Sequence, residues 1–444
     1  MKQSISPISQ APPETVPEVL PGLQLTQEQW QVLQALEQFV ASEERLYLLA
    51  GYAGTGKTTL LQALIVRLQE QEDPRKIVLT AFSNKATKVL NSMACRWEID
   101  VECMTCCKLL GMRPAIDDAT GKQVFQRDLD KDSEIENYQL VVVDECSMIN
   151  EELWQILVDS VSGLYTQIQI LFVGDPAQLP PVQERESPCF REIYQRADLT
   201  EVVRYGGAIG ILAEQIRQNL ERQQFPRFCS DTNDEHTEGI FVTRRRQWES
   251  LLIRAFTSDA YKQDPDRVRV LAYTNRRVNQ LNRKIRAAIF CPDVERFVKG
   301  ERLVANSPCM EGESVLLQTS AECEVLNASE GDLGPWQVWH LKVLTDENRY
   351  LRLRVLHEAS QGEYQLKLQG YAKEKRWMEF WQLKQFFHDV NYAYSLTIHK
   401  SQGSTFQDVF VDVPNLNVNR DVVERNQLCY VAITRAAKRL FLYQ

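Results

Sequence analysis

Gly51-Tyr52-Ala53-Gly54-Thr55-Gly56-Lys57-Thr58-Thr59 follows a short apolar run, Leu46-Tyr47-Leu48-Leu49-Ala50. Residues 60–68 come next, with apolar positions recurring at helical spacing. A strand, a glycine loop closing on Gly56-Lys57-Thr58, and then a helix is the context of a phosphate-binding loop. Gly51, Gly54 and Gly56 allow backbone N–H groups to wrap phosphates at a helix N-terminus. Lys57 brings a point charge to the β- and γ-phosphates, and the Thr58 hydroxyl suits Mg²⁺. With Thr55 and Thr59 completing the loop, the stretch predicts a nucleoside triphosphate site.

Working outward, Trp30, Leu33, Leu36 and Val40 form one stripe of a helix over residues 26–40. Apolar strands are expected at 76–81, 140–143 and 168–173, alternating with helical patterns, which predicts a parallel α/β sheet. The alternation breaks between Gly111 and Tyr138, where polar residues around Gly121 suggest a small protruding hairpin. Residues 221–238 read as a loop. A second α/β pattern starts with a strand at 268–273 and a helix from Asn275. It resumes at 392–397, 409–413 and 439–443. Between them, residues 309–388 alternate with period two and predict a β-rich insertion with Trp336, Trp339, Trp377 and Trp381 in its core.

At 444 residues the chain exceeds one ordinary core, and its 44% hydrophobic and 25% charged content is that of a globular protein. No apolar run reaches the length of a membrane span. The first 22 residues carry Pro7, Pro12, Pro13, Pro17 and Pro21, which predicts a flexible tail, not a signal peptide. Eleven cysteines without a paired framework point to the reducing cytoplasm. Net charge is −9, so any nucleic-acid affinity must come from a local track. Arg267, Arg269, Arg276, Arg277, Arg283, Lys284 and Arg286 face one acid, Asp266, in a single stretch. Either a solvated helix face or a phosphate-tracking surface would look like this.

The run Leu140-Val141-Val142-Val143 ends in Asp144-Glu145. An acid at a strand end beside a phosphate loop holds Mg²⁺, and the next acid can polarise an attacking water. Residues 174–181 (Gly-Asp-Pro-Ala-Gln-Leu-Pro-Pro) follow another apolar strand, and Gln178 there could sense a γ-phosphate or belong to a plain turn. Cys103, Cys106 and Cys107 lack the second pair that a zinc site requires, so a buried thiol cluster is expected.

In order, Leu25-Thr26-Gln27-Glu28-Gln29, the phosphate loop, Thr80-Ala81-Phe82-Ser83-Asn84-Lys85-Ala86, Asp144-Glu145-Cys146-Ser147-Met148 and residues 174–181 resemble the motifs of superfamily 1 helicases. Leu199-Thr200-Glu201-Val202-Val203-Arg204, Tyr273-Thr274-Asn275, Thr397-Ile398-His399-Lys400-Ser401-Gln402-Gly403 and Tyr430-Val431-Ala432-Ile433-Thr434-Arg435-Ala436 continue the series. The resemblance spans residues 23–444 and is to the RecD/Dda-like, 5′-to-3′ branch. It implies two RecA-like domains with parallel sheets, at 23–185 and at 186–308 with 389–444. A duplex-splitting pin would lie at 111–138 and an SH3-like barrel at 309–388, with residues 1–22 a tail. ATP and Mg²⁺ would be the cofactors. Gln29 would read adenine, a role compatible with a capping box with Thr26. Asp144 would ligate the metal with Thr58, Glu145 would be the catalytic base and Gln178 the γ-phosphate sensor. Arg204 and Arg435 would stabilise the transferred phosphoryl group, with Gly403 also at the nucleotide.

For DNA, the resemblance implies Ser83, Asn84, Lys85, Thr105, Thr274, Asn275, Thr397, His399 and Ser401, with Phe125 of the hairpin stacking on a base. Cys107 stands where the family usually has histidine. The implied activity is ATP-driven movement on single-stranded DNA and unwinding of tailed duplexes, in replication, repair or recombination. Alternatives are a translocase that does not unwind and an ATP-switched subunit of a recombination complex; RNA as substrate stays open. A monomer without membrane contact is expected, with the proline-rich tail available to a protein partner.

Overall fold

The computed structural model describes residue 19 and residues 24–443, apart from 83, 117–122, 128–132, 164–165, 182–183, 204–206, 291–293 and 313. The first lobe begins with helix α1 (Gln27–Ala41), then strand β1 (Leu46–Gly51), helix α2 (Lys57–Glu70), β2 (Ile77–Ala81), helix α3 (Asn84–Arg96) and β3 (Glu102–Thr105). A hairpin of β4 (Met112–Ile116) and β5 (Gln123–Arg127) follows, then β6 (Leu140–Asp144), β7 (Gln169–Gly174) and β8 (Arg196–Leu199). The sheet order is β3-β2-β6-β7-β1-β8, and every pair is parallel.

Both faces of this sheet are covered, which explains its near-continuous apolar strands. Leu49 packs with Leu33, Leu36, Leu60 and Leu64 on the face carrying α1 and α2. Its neighbour Leu48 points the other way, among Leu109, Tyr138, Trp154 and Leu157. Each such leucine, fully enclosed, stabilises the fold by about 1.5–3 kcal/mol. The domain boundary expected at residue 185 falls too early. β8 pairs with β1, so the first sheet closes only at Leu199. Its alternating exposure, from one buried face, hides it from a search for apolar runs.

The second lobe contains β9 (Asp231–Thr232), β10 (Gly239–Thr243) and β11 (Val268–Ala272). The chain then forms β12 (Arg302–Ala305), β13 (Cys309–Glu311), β14 (Ser314–Leu317), β15 (Glu322–Leu333), β16 (Trp336–Thr345), β17 (Tyr350–Leu356) and β18 (Val390–Tyr392). It returns through β19 (Ser395–Thr397), β20 (Phe406–Val411) and β21 (Ala436–Tyr443) to complete the sheet β19-β11-β20-β21-β10-β9. All its pairs are parallel except β9 with β10.

The insertion is an antiparallel sheet, β17-β16-β15-β12-β18, so it begins at Arg302 and ends at Tyr392, beyond the expected 309–388 on both sides. Its last part is not β-rich. Gln361–Lys373 and Trp377–Phe386 are helices, with Tyr364 and Leu368, and Trp377 and Trp381, one turn apart. Only Trp336 and Trp339 lie on the sheet, on opposite faces: Trp339 in the core with Leu341 and Leu353, and Trp336 against Tyr364 and Phe387. Among the described residues no helix is long and apolar enough to cross a membrane.

Candidate nucleotide cleft and nucleic-acid face

Parallel order places the C-terminal ends of β1, β7 and β6 side by side, the usual position of a ligand crevice in such a sheet. The loop after β1 turns through Gly54 and Gly56, at φ 82° and 86°, a region that disfavours any other residue. A Cβ on Gly56 would also stand 2.5 Å from the Gln29 amide. Gln29 is nearly enclosed, and both ends of its amide are engaged. Its Oε1 accepts from Thr26 N (3.0 Å), and its Nε2 donates to the Thr55 carbonyl (2.9 Å). Thr26 Oγ1 accepts in turn from Gln29 N, completing a capping box worth about 1 kcal/mol. Gln29 therefore ties α1 to the phosphate loop. Lys57, the first residue of α2, spans the loop by donating to the carbonyls of Gly51 (2.7 Å) and Tyr52 (2.9 Å). Thr58 and Thr59 follow, half-buried, in the first turn of the same helix.

Asp144 ends β6, and its Oδ1 accepts from Glu145 N at 2.8 Å. Burial, reinforced by the charge of Glu145, raises the Asp144 carboxyl above the ordinary range, while the Lys57 charge pulls it back. A buried carboxyl with a half-buried acid beside it and a lysine nearby is chemically suited to a divalent cation, which would relieve the same cost. Glu145 itself adopts φ 55°, ψ 41°, a left-handed conformation rare for glutamate and found where the surrounding structure enforces it. Gln178 is buried, and its side-chain oxygen has no hydrogen-bond partner among the described residues.

From the second lobe, the Val422–Ile433 helix delivers Gln427 and Tyr430 to these loops, and Arg435 follows its end. Gln427 Nε2 donates to the Gln178 carbonyl (3.1 Å). Tyr430 Oη accepts from Ala53 N (2.9 Å) and donates to Asp175 Oδ2 (2.8 Å). Arg435 is enclosed and donates to Val431 O, Ser404 O and Thr434 Oγ1 at 3.1–3.2 Å, with no carboxylate partner among the described residues. Gly403, at φ 71°, lies against α3 of the first lobe, where a Cβ would come within 3.2 Å of Ala86. Gln402 Nε2 and Ser404 Oγ beside it are buried without partners among the described residues. Arg204 lies outside the described residues.

Of the expected DNA contacts, Ser83 lies outside the described residues, as do the side chains of Asn84, Lys85 and Phe125. Thr105 and Thr274 are half-buried N-caps, accepting from Lys108 N (3.2 Å) and Arg277 N (3.3 Å). Asn275 and His399 are exposed. Thr397 is buried and accepts from Lys400 N. Ser401 is fully enclosed and donates to Ile398 O (2.7 Å), so it offers no exposed hydroxyl.

Most of the basic stretch is neutralised. Arg267 pairs with Asp408, Arg269 with Glu322 and Asp266, Arg277 with Asp412, Lys284 with Glu249 and Arg286 with Glu301. Arg276 and Arg283 are exposed and have no acidic partner among the described residues. Cys106 is buried against Thr80 Oγ1, and burial pushes its thiol up to about 12.

Sequence reading placed Tyr430 in a motif but gave it no role, and it missed Gln427 and Asn415, whose Oδ1 accepts from both Tyr273 N and Thr274 N at 2.9 Å. For the first two a signal existed. Gln427, Tyr430 and Thr434 recur at three and four residues, one face of a helix.

A family model described as an AAA domain matches residues 24–229, and one described as a UvrD-like helicase C-terminal domain matches residues 392–443. The ATP-dependent DNA helicase dda of Enterobacteria phage T4 is 25% identical over 429 residues, covering 88% of this chain and 92% of that one. The RecBCD enzyme subunit RecD of Mycobacterium tuberculosis is 25% identical over 433 residues, covering 90% of this chain and 67% of its own. A solved structure of Pif1 helicases on forked double-stranded DNA aligns with a TM-score of 0.52 at 16% identity, over 94% of this chain and 92% of that chain.

Proposed function

The chain is a superfamily 1B helicase of the RecD/Dda-like kind, and from that premise we propose that it hydrolyses ATP between its lobes to move 5′ to 3′ on single-stranded DNA and unwind duplexes. One observation carries the mechanism. The loops after β1 and β7 are hydrogen-bonded to the Val422–Ile433 helix, so residues from both lobes converge where phosphates would sit.

In this reading the amides after Gly54 cradle the phosphates and Lys57 moves from its loop carbonyls to the β- and γ-phosphates. Thr58 and Asp144 would hold Mg²⁺, which neutralises phosphate charge when bound. Glu145 orients and deprotonates the attacking water. Gln178, with an unengaged amide oxygen, contacts that water or the γ-phosphate. Arg435, and Arg204 by the resemblance, stabilise charge on the transferred group, which requires the lobes to be closed. Hydrolysis then releases the closure, and alternating grip by the two lobes moves the strand.

Asn275, His399, Arg276 and Arg283 are the exposed groups best suited to phosphates on the second lobe. The β4–β5 hairpin is proposed as the element that parts the duplex. A cytoplasmic monomer, with the N-terminal tail as a contact for a protein partner, completes the proposal.

The test is ATP-driven strand separation on duplexes with a single 5′ or 3′ tail, with Lys57→Ala as control. Unwinding from the 5′ tail alone, lost in the control, is the expected outcome. Hydrolysis without unwinding would identify a translocase, and unwinding from the 3′ tail alone would refute the polarity.

A further inference from the structure

The Tyr430 hydroxyl has two partners, and both belong to the other lobe. It accepts from Ala53 N of the phosphate loop (2.9 Å) and donates to Asp175 Oδ2 at the end of β7 (2.8 Å). The ring is 2% exposed and Asp175 is fully enclosed, so the Tyr430–Asp175 bond is shielded from water, while the bond from Ala53 N is part-buried. Asp175 in turn shapes the loop that carries Gln178. Its Oδ1 accepts from Ala177 N (2.9 Å), and its carbonyl accepts from Gln178 N (3.1 Å). One turn earlier on the same helix, Gln427 holds the Gln178 carbonyl.

The apolar packing repeats this connection. Ala177 and Leu179 of the first lobe are buried with Leu212, Leu428 and Tyr430, and Tyr52 and Ala53 pack on the rim of that cluster. Burial beside the Asp175 carboxylate raises the phenol far above its ordinary range, so the donor persists at any physiological pH.

We propose that Tyr430 is a positioning residue that locks the second lobe onto the phosphate loop and the Asp175–Gln178 turn together, so that lobe closure sets Gln178 for hydrolysis. This rests on the cleft being the ATP site. Among the described residues the hydroxyl bonds to a backbone amide and a carboxylate alone, so it acts through Gln178 and the loop. Its loss would slow the chemical step more than it weakens ATP binding. A phenylalanine keeps the ring's packing and removes only the two bonds.

The experiment measures DNA-stimulated ATP hydrolysis and thermal unfolding of the full chain carrying Tyr430→Phe, Asp175→Asn, or both, beside Lys57→Ala. Asparagine offers one acceptor oxygen where aspartate uses two, so it cannot serve both Ala177 N and Tyr430 Oη. Expected for Tyr430→Phe is a kcat about tenfold lower with KM for ATP within about threefold. The double variant should be no slower than the slower single variant, because both substitutions break one unit. A Tyr430→Phe kcat within about twofold of the unmodified chain, or losses that multiply in the double variant, would overturn the role. Should Tyr430→Phe not fold, Asp175→Asn alone decides, with the same split between kcat and KM expected and an unchanged kcat refuting it. If the unmodified chain shows no hydrolysis above Lys57→Ala, it is the ATP-site reading that fails. Normal hydrolysis with an indifferent Tyr430→Phe would overturn only this proposal.

Discussion

Arg435 directs three of its nitrogens to Val431 O, Ser404 O and Thr434 Oγ1 and, among the described residues, meets no acid in its enclosed position. That arrangement holds a guanidinium ready for an anion, and a lysine cannot reproduce the fork. Arg435→Lys should therefore behave like Arg435→Ala, lowering kcat for DNA-stimulated hydrolysis by about 10³-fold; steady-state kinetics would check it. A second prediction concerns His388, which is buried with Nδ1 accepting from Arg354 N and Nε2 donating to Met310 O. Only the neutral ring satisfies both bonds, and burial lowers its pKa from the ordinary 6.5. Below about pH 6.5 the unfolded chain then binds the extra proton first, so stability is full above that value and declines as pH falls toward the depressed folded pKa. Melting temperatures measured from neutral pH downward should fall accordingly, and His388→Gln should flatten that part of the profile. Lys57, Thr58 and Asp144 were legible from sequence because their neighbours in the chain define their setting. Tyr430 was not, since both of its partners lie more than 250 residues away.

The Asn275–Ile289 helix shows what an element adds to a string of charges. Its apolar face, Val278, Leu281 and Ile285, was readable from spacing. Which basic residues remain available was not, because Asp412, Glu249 and Glu301 come from three separate segments to pair with Arg277, Lys284 and Arg286. Among the described residues of this helix, Arg276 and Arg283 are the cations without an acidic partner and so are left to meet phosphates. Reversing both, Arg276→Glu with Arg283→Glu, should weaken single-stranded DNA binding and reduce the slope of log K against log salt by about 1.4, two counterions released per complex. Fluorescence titration over a range of salt reads this directly, and an unchanged slope would turn the helix away from the strand. The insertion teaches the same lesson in another form. β12 and β18 are four and three residues long, too short to reveal a period, and only the pairing of β12 with β15 and of β18 with β12 assigns them to the inserted sheet.

Across the whole molecule, an ionic chain, enclosed at Arg269 and Glu322 and half-exposed at Lys88, joins its parts through an Arg302–Glu322 contact of 3.7 Å. Arg269 of β11 is fully enclosed and bonds Glu322 of β15 at 2.6 Å, while Arg302 of β12 bonds Asp346 at 2.6 Å. Asp346 also reaches Lys88 of α3 in the first lobe at 3.4 Å. The second lobe, the insertion and the first lobe are thus electrostatically continuous. Glu322→Ala would leave Arg269 buried with the more exposed Asp266 as its one counterion among the described residues, and the expected cost is about 3–5 kcal/mol. Denaturant unfolding would measure it, and a midpoint equal to that of the unmodified chain would show that Asp266 suffices. The sequence by itself determined the α/β class, the phosphate loop, the strand-end acids and the order of the two lobes, because each depends on residues adjacent in the chain. Tertiary structure alone decided where β8 belongs, which arginines are already neutralised, and that Gln427 and Tyr430 grip the opposite lobe. Those outcomes depend on partners brought together from distant segments, and no local pattern of spacing or charge encodes which distant group will arrive.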